Sequence, residues 1–212
     1  MQILEQISME LQKGDAGNIA LLTQKAIDQK LNPEIILDDG LIAGMNIVGK
    51  KFKAHEIFLP NVLLAAKAMQ AGMDLLKPLL INGDTVCRGR IVTGTVQGDL
   101  HDIGRNLVGI MLKGAGFEVI DLGNDVRPSR FVEAAVEENA SVIGMSALLT
   151  TTMPVMKKVI DILKQQDLYG KIRVIVGGAP VSSRYAEEIG ADAACFDGAS
   201  AVESVKELLG VN

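Results

Sequence analysis

The sequence predicts an α/β fold class in two parts: an N-terminal bundle of four helices, followed by a domain built on a five-stranded parallel sheet. Apolar residues recur at helical spacing up to about residue 80, and five short runs rich in Val and Ile follow after residue 90. A segment containing Asn82-Gly83-Asp84, a turn signal, separates the two patterns. We therefore predict a helical domain at residues 1–80, a linker at 81–90 and an α/β domain at 91–212.

Composition narrows the class of protein. The chain has 212 residues, 48% of them apolar, and its 21 basic and 26 acidic side chains give a net charge of -5. The apolar share excludes a disordered chain, and the net negative charge argues against nucleic acid as a partner. The two cysteines form no CxxC pair, no apolar run reaches the length of about 18 residues that spans a membrane, and the N-terminus does not resemble a secretion signal. We expect no membrane association and a cytoplasmic location.

Four helices account for the first 80 residues. The apolar stripes of the first two consist of Ile3, Leu4, Ile7 and Leu11, and of Ile19, Leu22, Ala26 and Ile27. Asp15 is a predicted N-cap for the second helix, and Asn32 followed by Pro33 starts a third that runs towards Phe52. A fourth helix is predicted from Leu59 to Pro78. Short amphipathic helices bury their stripes against one another, which predicts a bundle.

Five strands are predicted in the second domain. They span residues 90–96, 118–122, 141–145, 173–176 and 193–196. Each is followed by a helical pattern, which indicates parallel βαβ units in a flavodoxin-like, Rossmann-type sheet. Ligands of such sheets bind beyond the carboxyl ends of the strands, near the point where the strand order reverses. The loops after strands one, three and four are therefore the candidate functional segments.

The loop after strand one combines an acid with a histidine. Asp99 and His101 are two residues apart, so in an extended chain both side chains point the same way, and Gly104 lets the backbone turn into a helix. A metal-ligating imidazole commonly donates its other N–H to a carboxylate, the role for which Asp99 is well placed. Two other interpretations stay open: Asp102 is an N-cap, and His101 is a solvated loop residue. The sequence contains no second cluster that would complete a bare divalent metal site.

The loops after strands three and four carry small residues. Ser146 to Thr152 includes hydroxyl side chains that either line a narrow cavity or cap the next helix. Gly177 and Gly178 either permit a ligand to approach the backbone or form a tight turn. Neither GxGxxG nor GxxxxGK[ST] occurs, so the chain lacks the phosphate-binding loops of the common nucleotide folds.

Together these loops resemble the signature of the cobalamin-binding fold of methionine synthase and of corrinoid proteins of methyltransferase systems. The matching motifs are Asp99-x-His101-x-x-Gly104, then Ser146-x-Leu148, then Gly177-Gly178. The segments Gly49-Lys50-Lys51-Phe52 and Phe58-Leu59-Pro60-Asn61-Val62 are similar to the helical cap of the same proteins. The resemblance covers nearly the whole chain and three motifs in the family's order.

The resemblance implies a binding site for cobalamin, with cobalt as its metal. His101 would be the lower ligand of the cobalt in place of the displaced benzimidazole tail, and Asp99 would accept the second N–H of its ring. Thr152 stands where methionine synthase has a serine in the same hydrogen-bonded chain. The implied cofactor contacts are Asp99, Leu100, His101, Asp102, Ile103 and Gly104 below the ring, Ser146, Leu148, Thr150, Thr152, Gly177 and Gly178 around the tail, and Phe52, Phe58, Leu59 and Val62 above.

The resemblance also implies a function, that of a carrier subunit with no catalytic residues of its own and with methylcobalamin as its loaded form. A substrate-specific methyltransferase would load the methyl group, a second methyltransferase would pass it to tetrahydrofolate or a similar acceptor, and a reductive activator would restore the cobalt. The donors of such systems include methoxylated aromatics, methylamines, glycine betaine and methanol. Two alternatives remain: a cobalamin-dependent sensor or regulator, and the small subunit of a mutase that uses adenosylcobalamin.

Overall fold

The computed structural model describes residues 2–80 and 88–211, and the chain divides into a helical unit and an α/β unit. Of the predicted linker, residues 81–87 lie outside the described residues, so the linker stays a prediction. Within the described ranges, every helix is too short or too polar to cross a lipid bilayer.

The helical unit contains the predicted helices, and the third of these is divided into three segments. Its elements are α1 (Ile3–Lys13), α2 (Ala16–Asp28), α3 (Pro33–Ile35), a π-helical segment (Ile36–Ile42), α4 (Ala43–Lys53) and α5 (Leu59–Leu80). The predicted caps are confirmed: Asp15 accepts a hydrogen bond from the backbone N–H of Asn18 at 3.0 Å, and Asn32 accepts one from that of Glu34 at 2.9 Å. α2 packs against α5, and α1 packs against the π-helical segment.

Two details of this unit differ from the prediction. The third helix contains a π-helical segment, whose wider turn does not change the apolar pattern enough to be read from the sequence. A Cβ on Gly40 would lie 3.1 Å from Cγ2 of Ile7, so glycine permits α1 to lie close to this segment. Within the described residues the fourth helix continues past Pro78 to Leu80, because a single proline removes only one backbone hydrogen bond.

The α/β unit is a flavodoxin-like sheet flanked by helices, as predicted. Its strands are β1 (Arg90–Thr95), β2 (Glu118–Asp121), β3 (Val142–Ser146), β4 (Arg173–Gly177) and β5 (Ala193–Cys195), each within one residue of the predicted bounds. The helices are α6 (Ile103–Gly114), α7 (Pro128–Glu137), α8 (Pro154–Gln165), α9 (Ser183–Ile189) and α10 (Gly198–Leu209). All strands are parallel in the order β2-β1-β3-β4-β5, which reverses direction between β1 and β3.

The register of the sheet brings the three motif loops to one edge. Thr95 at the end of β1 pairs with Ser146 at the end of β3, and Ser146 pairs with Gly177 at the end of β4. The strands β1, β3 and β4 are buried on both faces, and a Cβ on Gly94 would lie 2.7 Å from Cε1 of the fully buried Phe131 on α7. Since neighbouring parallel strands end at the same level, the loops after β1, β3 and β4 begin side by side.

Candidate functional site

The centre of the candidate site is the carboxylate of Asp99, which is fully buried at the carboxyl edge of the sheet. Its Oδ1 accepts hydrogen bonds from the backbone N–H of His101 at 3.1 Å and from Nδ1 of the same residue at 2.7 Å. Its Oδ2 accepts from the backbone N–H groups of Leu148 at 2.8 Å and Leu149 at 3.2 Å, and from Oγ1 of Thr152 at 3.0 Å. One carboxylate thus ties the loop after β1 to the loop after β3.

The protonation state of this pair follows from the donors around it. Burial raises the pKa of Asp99, but the hydrogen bonds from His101, Leu148 and Thr152 outweigh it and hold the pKa well below the ordinary carboxyl value. An ionised carboxylate only accepts hydrogen bonds, so the ring proton of neutral His101 is assigned to Nδ1.

The other ring nitrogen of His101 is available to a ligand. Nε2 carries a lone pair in this tautomer, and it has no hydrogen-bond partner among the described residues. The side chain of His101 is 52% exposed, whereas Asp99 beneath it is inaccessible. The pair therefore consists of a buried carboxylate and a half-exposed imidazole whose orientation that carboxylate fixes.

Thr152 completes the arrangement that the resemblance implied. Its hydroxyl lies 3.0 Å from Oδ2 of Asp99 and 2.8 Å from the carbonyl oxygen of Leu149. A hydroxyl has one proton, so Thr152 donates to one of these acceptors at a time.

Exposed apolar side chains occur in both loops that meet at Asp99. Leu100 and Ile103, on either side of His101 in the sequence, are 71% and 75% exposed, and Leu148 and Leu149 are each about two-fifths exposed. Large exposed apolar side chains gathered at one place mark a surface that binds a partner or a ligand.

Gly104 leaves further room beside this surface. The residue lies in the first turn of α6 without a left-handed φ, so our expectation that it is needed to turn the backbone is wrong. A Cβ at Gly104 would meet no protein atom within 4 Å, so packing does not require the glycine either. The geometry leaves space at this position for a ligand to approach the backbone closely, which glycine permits.

The other residues of the three motifs differ in burial and in the contacts that they make. Ser146 is half-buried, and its carbonyl oxygen accepts from the backbone N–H of Val96 at 3.0 Å, while Thr150 is exposed and Asp102 directly precedes α6. A Cβ on Gly178, where φ is +128°, would lie 1.8 Å from the carbonyl oxygen of Ala147. Gly178 is therefore required by the close approach of two loops, whatever ligand they bind.

The predicted residues of the helical unit are unevenly exposed. Phe58 is 71% exposed, Phe52 and Leu59 are half-buried, and Val62 is fully buried. His55, in the turn between Phe52 and Phe58, is exposed and has a left-handed φ of +58°. Contact between these residues and a cofactor stays a prediction.

The loop after β2, to which the sequence motifs give no role, contributes a second set of contacts. Asp125 accepts from the backbone N–H of Gly98 at 2.7 Å and donates its own N–H to the carbonyl oxygen of Asp99 at 3.1 Å. Asn124 donates its side-chain N–H to the carbonyl oxygen of Leu100 at 3.1 Å. The polar run Gly-Asn-Asp at the same sheet edge was the signal in the sequence, because β2 ends beside β1.

The single exposed imidazole and the apolar side chains fit a metal that is already bound by a macrocyclic ligand. Among the described residues, no group of three or more His, Cys, Asp or Glu side chains is placed to hold a bare metal ion. A macrocycle supplies most of the ligands itself, so one imidazole nitrogen suffices, and exposed apolar side chains fit the face of a large ring. The fold is thus that of a flavodoxin-like protein, and one exposed imidazole beside apolar side chains is the kind of surface that a metal-containing ring requires.

Comparison with known proteins identifies the family. Residues 89–206 match the model of the B12 binding domain, and residues 3–77 match a second B12 binding domain model. The chain is 41% identical to a corrinoid protein of Desulfitobacterium hafniense strain Y51 over an alignment of 213 residues that covers 99% of each chain. It is 44% identical over 209 residues to a dimethylamine corrinoid protein of Methanosarcina barkeri, with 98% of each covered. The chain belongs to the family of B12-binding corrinoid proteins.

A solved structure agrees with this assignment. The methanol:cobalamin methyltransferase complex of Methanosarcina barkeri contains a chain that is 29% identical, with a TM-score of 0.86, over 99% of this chain and 80% of that one. The predicted fold, the resemblance to corrinoid proteins of methyltransferase systems and the cofactor are confirmed: the protein is a cobalamin-binding corrinoid protein.

Proposed function

We propose that this protein is a methyl carrier that binds cobalamin with His101 as the lower ligand of the cobalt, in place of the benzimidazole tail. The observation that carries the proposal is the 2.7 Å contact between Nδ1 of His101 and Asp99, which leaves the lone pair of Nε2 without a partner among the described residues, on a side chain that is 52% exposed. When bound, the corrinoid supplies the chemistry, since cobalt in its lowest oxidation state accepts a methyl group and releases it to a second acceptor.

The protein residues have defined roles in this proposal. Asp99 holds the proton of His101 at Nδ1 and keeps the ring oriented, because its own charge is stabilised by donors from a second loop. Leu100 and Ile103 would cover the lower face of the ring and exclude water from it.

The other predicted contacts divide between tail and upper face. Asp102, Gly104, Ser146, Leu148, Thr150, Thr152, Gly177 and Gly178 complete the contacts of the α/β unit, and Phe52, Phe58, Leu59 and Val62 are the predicted contacts of the helical unit. We assign no catalytic residue to the chain itself, because the methyl transfers would be catalysed by its partners.

The donor that we favour is a methylated amine. Support comes from the curated relatives, among which dimethylamine corrinoid proteins are 42–48% identical to this chain, whereas the chain in the methanol system is 29% identical. The partners would be a substrate-specific methyltransferase, a second methyltransferase that delivers the methyl group to tetrahydrofolate or a similar acceptor, and a reductive activator. We expect these proteins to meet in the cytoplasm.

The ligand can be tested by electron paramagnetic resonance of the protein loaded with cob(II)alamin. Growth with ¹⁵N-labelled histidine should change the cobalt-nitrogen splitting from a triplet to a doublet, because the coordinating atom is an imidazole nitrogen. The chain has two histidines, so His55→Ala is the matched control: it should keep the labelled splitting, whereas His101→Ala should lose it. A labelled splitting that persists in His101→Ala contradicts the proposal.

Two further measurements address the methyl chemistry. Binding of methylcobalamin and adenosylcobalamin should be compared, since a marked preference for adenosylcobalamin would favour a regulator or a mutase subunit instead. The methyltransferase encoded beside this gene should then be assayed with the loaded protein and dimethylamine, glycine betaine, methanol or a methoxylated aromatic. We expect demethylation of a methylated amine, and turnover of methanol or the aromatic alone would refute the choice of donor.

A further inference from the structure

We propose that Arg105 is a positioning residue for His101, acting through Thr95 and Asn124 on the two peptide groups that flank the histidine. The inference rests on the proposed role of His101 as the cobalt ligand. Arg105, Thr95 and Asn124 are not among the residues that the cobalamin-binding motifs assign to the cofactor.

The guanidinium of Arg105 lies at the centre of a buried polar network. Its side chain is 7% exposed and extends from the first turn of α6 towards the loop after β2. Nη1, which has two hydrogens to share, lies within hydrogen-bond distance of three acceptors: Oγ1 of Thr95 at 3.1 Å, Oδ1 of Asn124 at 2.5 Å and the carbonyl oxygen of Gly123. Arg105 therefore holds two bridging side chains, one on β1 and one after β2.

Each bridging side chain continues to the histidine loop. The Thr95 hydroxyl donates to the carbonyl oxygen of His101 at 2.9 Å. The Asn124 side-chain amide donates to the carbonyl oxygen of Leu100 at 3.1 Å. The Leu100 carbonyl belongs to the peptide before His101, and the His101 carbonyl belongs to the peptide after it.

These two contacts constrain the backbone of His101 on both sides. Rotation about φ moves the preceding peptide relative to the ring, and rotation about ψ moves the following one. Because Nε2 is the far end of the imidazole, a small backbone rotation displaces it by a larger distance. Asp99 orients the ring, whereas Arg105 fixes the position of the backbone that bears it.

Arginine is suited to this position for geometric reasons. Its planar group holds donors in fixed directions, whereas a lysine ammonium at the same place is a single point of charge on a shorter stem. The charge has an ion-pair partner, since Nε lies 3.3 Å from Oδ1 of Asp121 without forming a hydrogen bond to it, and Nη2 donates to Oδ1 of Asn106 at 2.9 Å. Asn106 contacts neither carbonyl of the histidine loop in the described structure, which makes it a matched control.

The first test uses the protein without cofactor. Hydrogen exchange of the full-length apoprotein should be measured for Arg105→Lys, Thr95→Val, Asn124→Ala and the control Asn106→Ala. We expect faster exchange over residues 98–102 in the first three variants and wild-type exchange in the control. Unchanged exchange in Thr95→Val and Asn124→Ala would overturn the inference, and these two variants decide it even if Arg105→Lys does not fold.

The second test uses cob(II)alamin and labelled histidine. The three variants should bind cob(II)alamin about tenfold more weakly and show a reduced share of the labelled nitrogen splitting, while Asn106→Ala keeps both. Full splitting and affinity in all three would overturn the inference. A wild-type protein without the splitting would instead refute His101 as the ligand, and the exchange measurements would still decide whether Arg105 holds the loop.

Discussion

Replacement of Asp99 by asparagine tests the pair on which the site depends. Asparagine has the shape of aspartate but one oxygen and one NH₂ group. Its oxygen should take the place of Oδ2, where it still meets three donors, from Leu148, Leu149 and Thr152. The NH₂ group then takes the place of Oδ1 and faces two donors of His101, the backbone N–H and Nδ1.

The magnitude follows from these contacts. Two hydrogen bonds to an ionised carboxylate are lost, each worth about 1.5–3 kcal/mol. One neutral hydrogen bond of about 1 kcal/mol is regained if the ring of His101 moves its proton to Nε2 and accepts at Nδ1. We therefore expect Asp99→Asn to lower the free energy of unfolding of the apoprotein by about 2–5 kcal/mol, on the estimates for these bonds.

The changed tautomer has a consequence for the cofactor. A protonated Nε2 has no lone pair for a metal, so cobalamin should bind about 10–100-fold more weakly and without the histidine splitting. The loss of stability in the apoprotein and the loss of ligation in the loaded protein thus share one cause. Each can be measured without the other.

The assay is urea unfolding of the apoprotein, combined with nitrogen chemical shifts of the imidazole. Asp161→Asn is the control, since Asp161 forms an exposed ion pair with Lys157 and its loss should change stability by less than about 1 kcal/mol. If Asp99→Asn unfolds at the same urea concentration as this control, and the proton of His101 stays on Nδ1, the reasoning is wrong.

Three further predictions concern acid, packing and space. The pKa of Asp99 is lower in the folded protein than the value of about 3.9 in the unfolded chain. The ionised carboxylate should therefore contribute its full stabilisation above about pH 5 and lose it as the pH falls through the unfolded pKa. The stability difference between the wild type and Asp99→Asn, measured by urea unfolding, should shrink below about pH 4. Gly178→Ala should destabilise the apoprotein by roughly 3 kcal/mol or more, as the strongest single-residue effects do, because its Cβ would lie 1.8 Å from the oxygen of Ala147. The control Gly170→Ala, with φ +83° and no such contact, should cost about 1 kcal/mol. Equal losses of stability in the two variants would exclude the contact as the cause. Gly104→Ala should stabilise the apoprotein by up to about 1 kcal/mol yet weaken cobalamin binding in a titration, and unchanged binding would show that no ligand approaches this position.

Local patterns predicted the elements that position the site. Short runs of Val and Ile gave strand bounds within one residue, because a buried parallel strand needs apolar side chains on both faces. The caps Asp15 and Asn32 were predictable for a similar reason, since each bonds to a backbone N–H within three residues. The π-helical segment was missed because its extra residue leaves the apolar spacing close to that of an α-helix.

The pairing of Asp99 with His101 was also visible in the sequence, because a single residue lies between them and the contact is local. Local patterns did not show what holds that pair, and only the family resemblance implied a part for Thr152. Asp99 bonds to Thr152 across 53 residues, and Arg105 bonds to Asn124 across 19. Such contacts exist because the strand order and register bring distant loops to one sheet edge, and neither residue spacing nor apolar period encodes which polar side chains meet there.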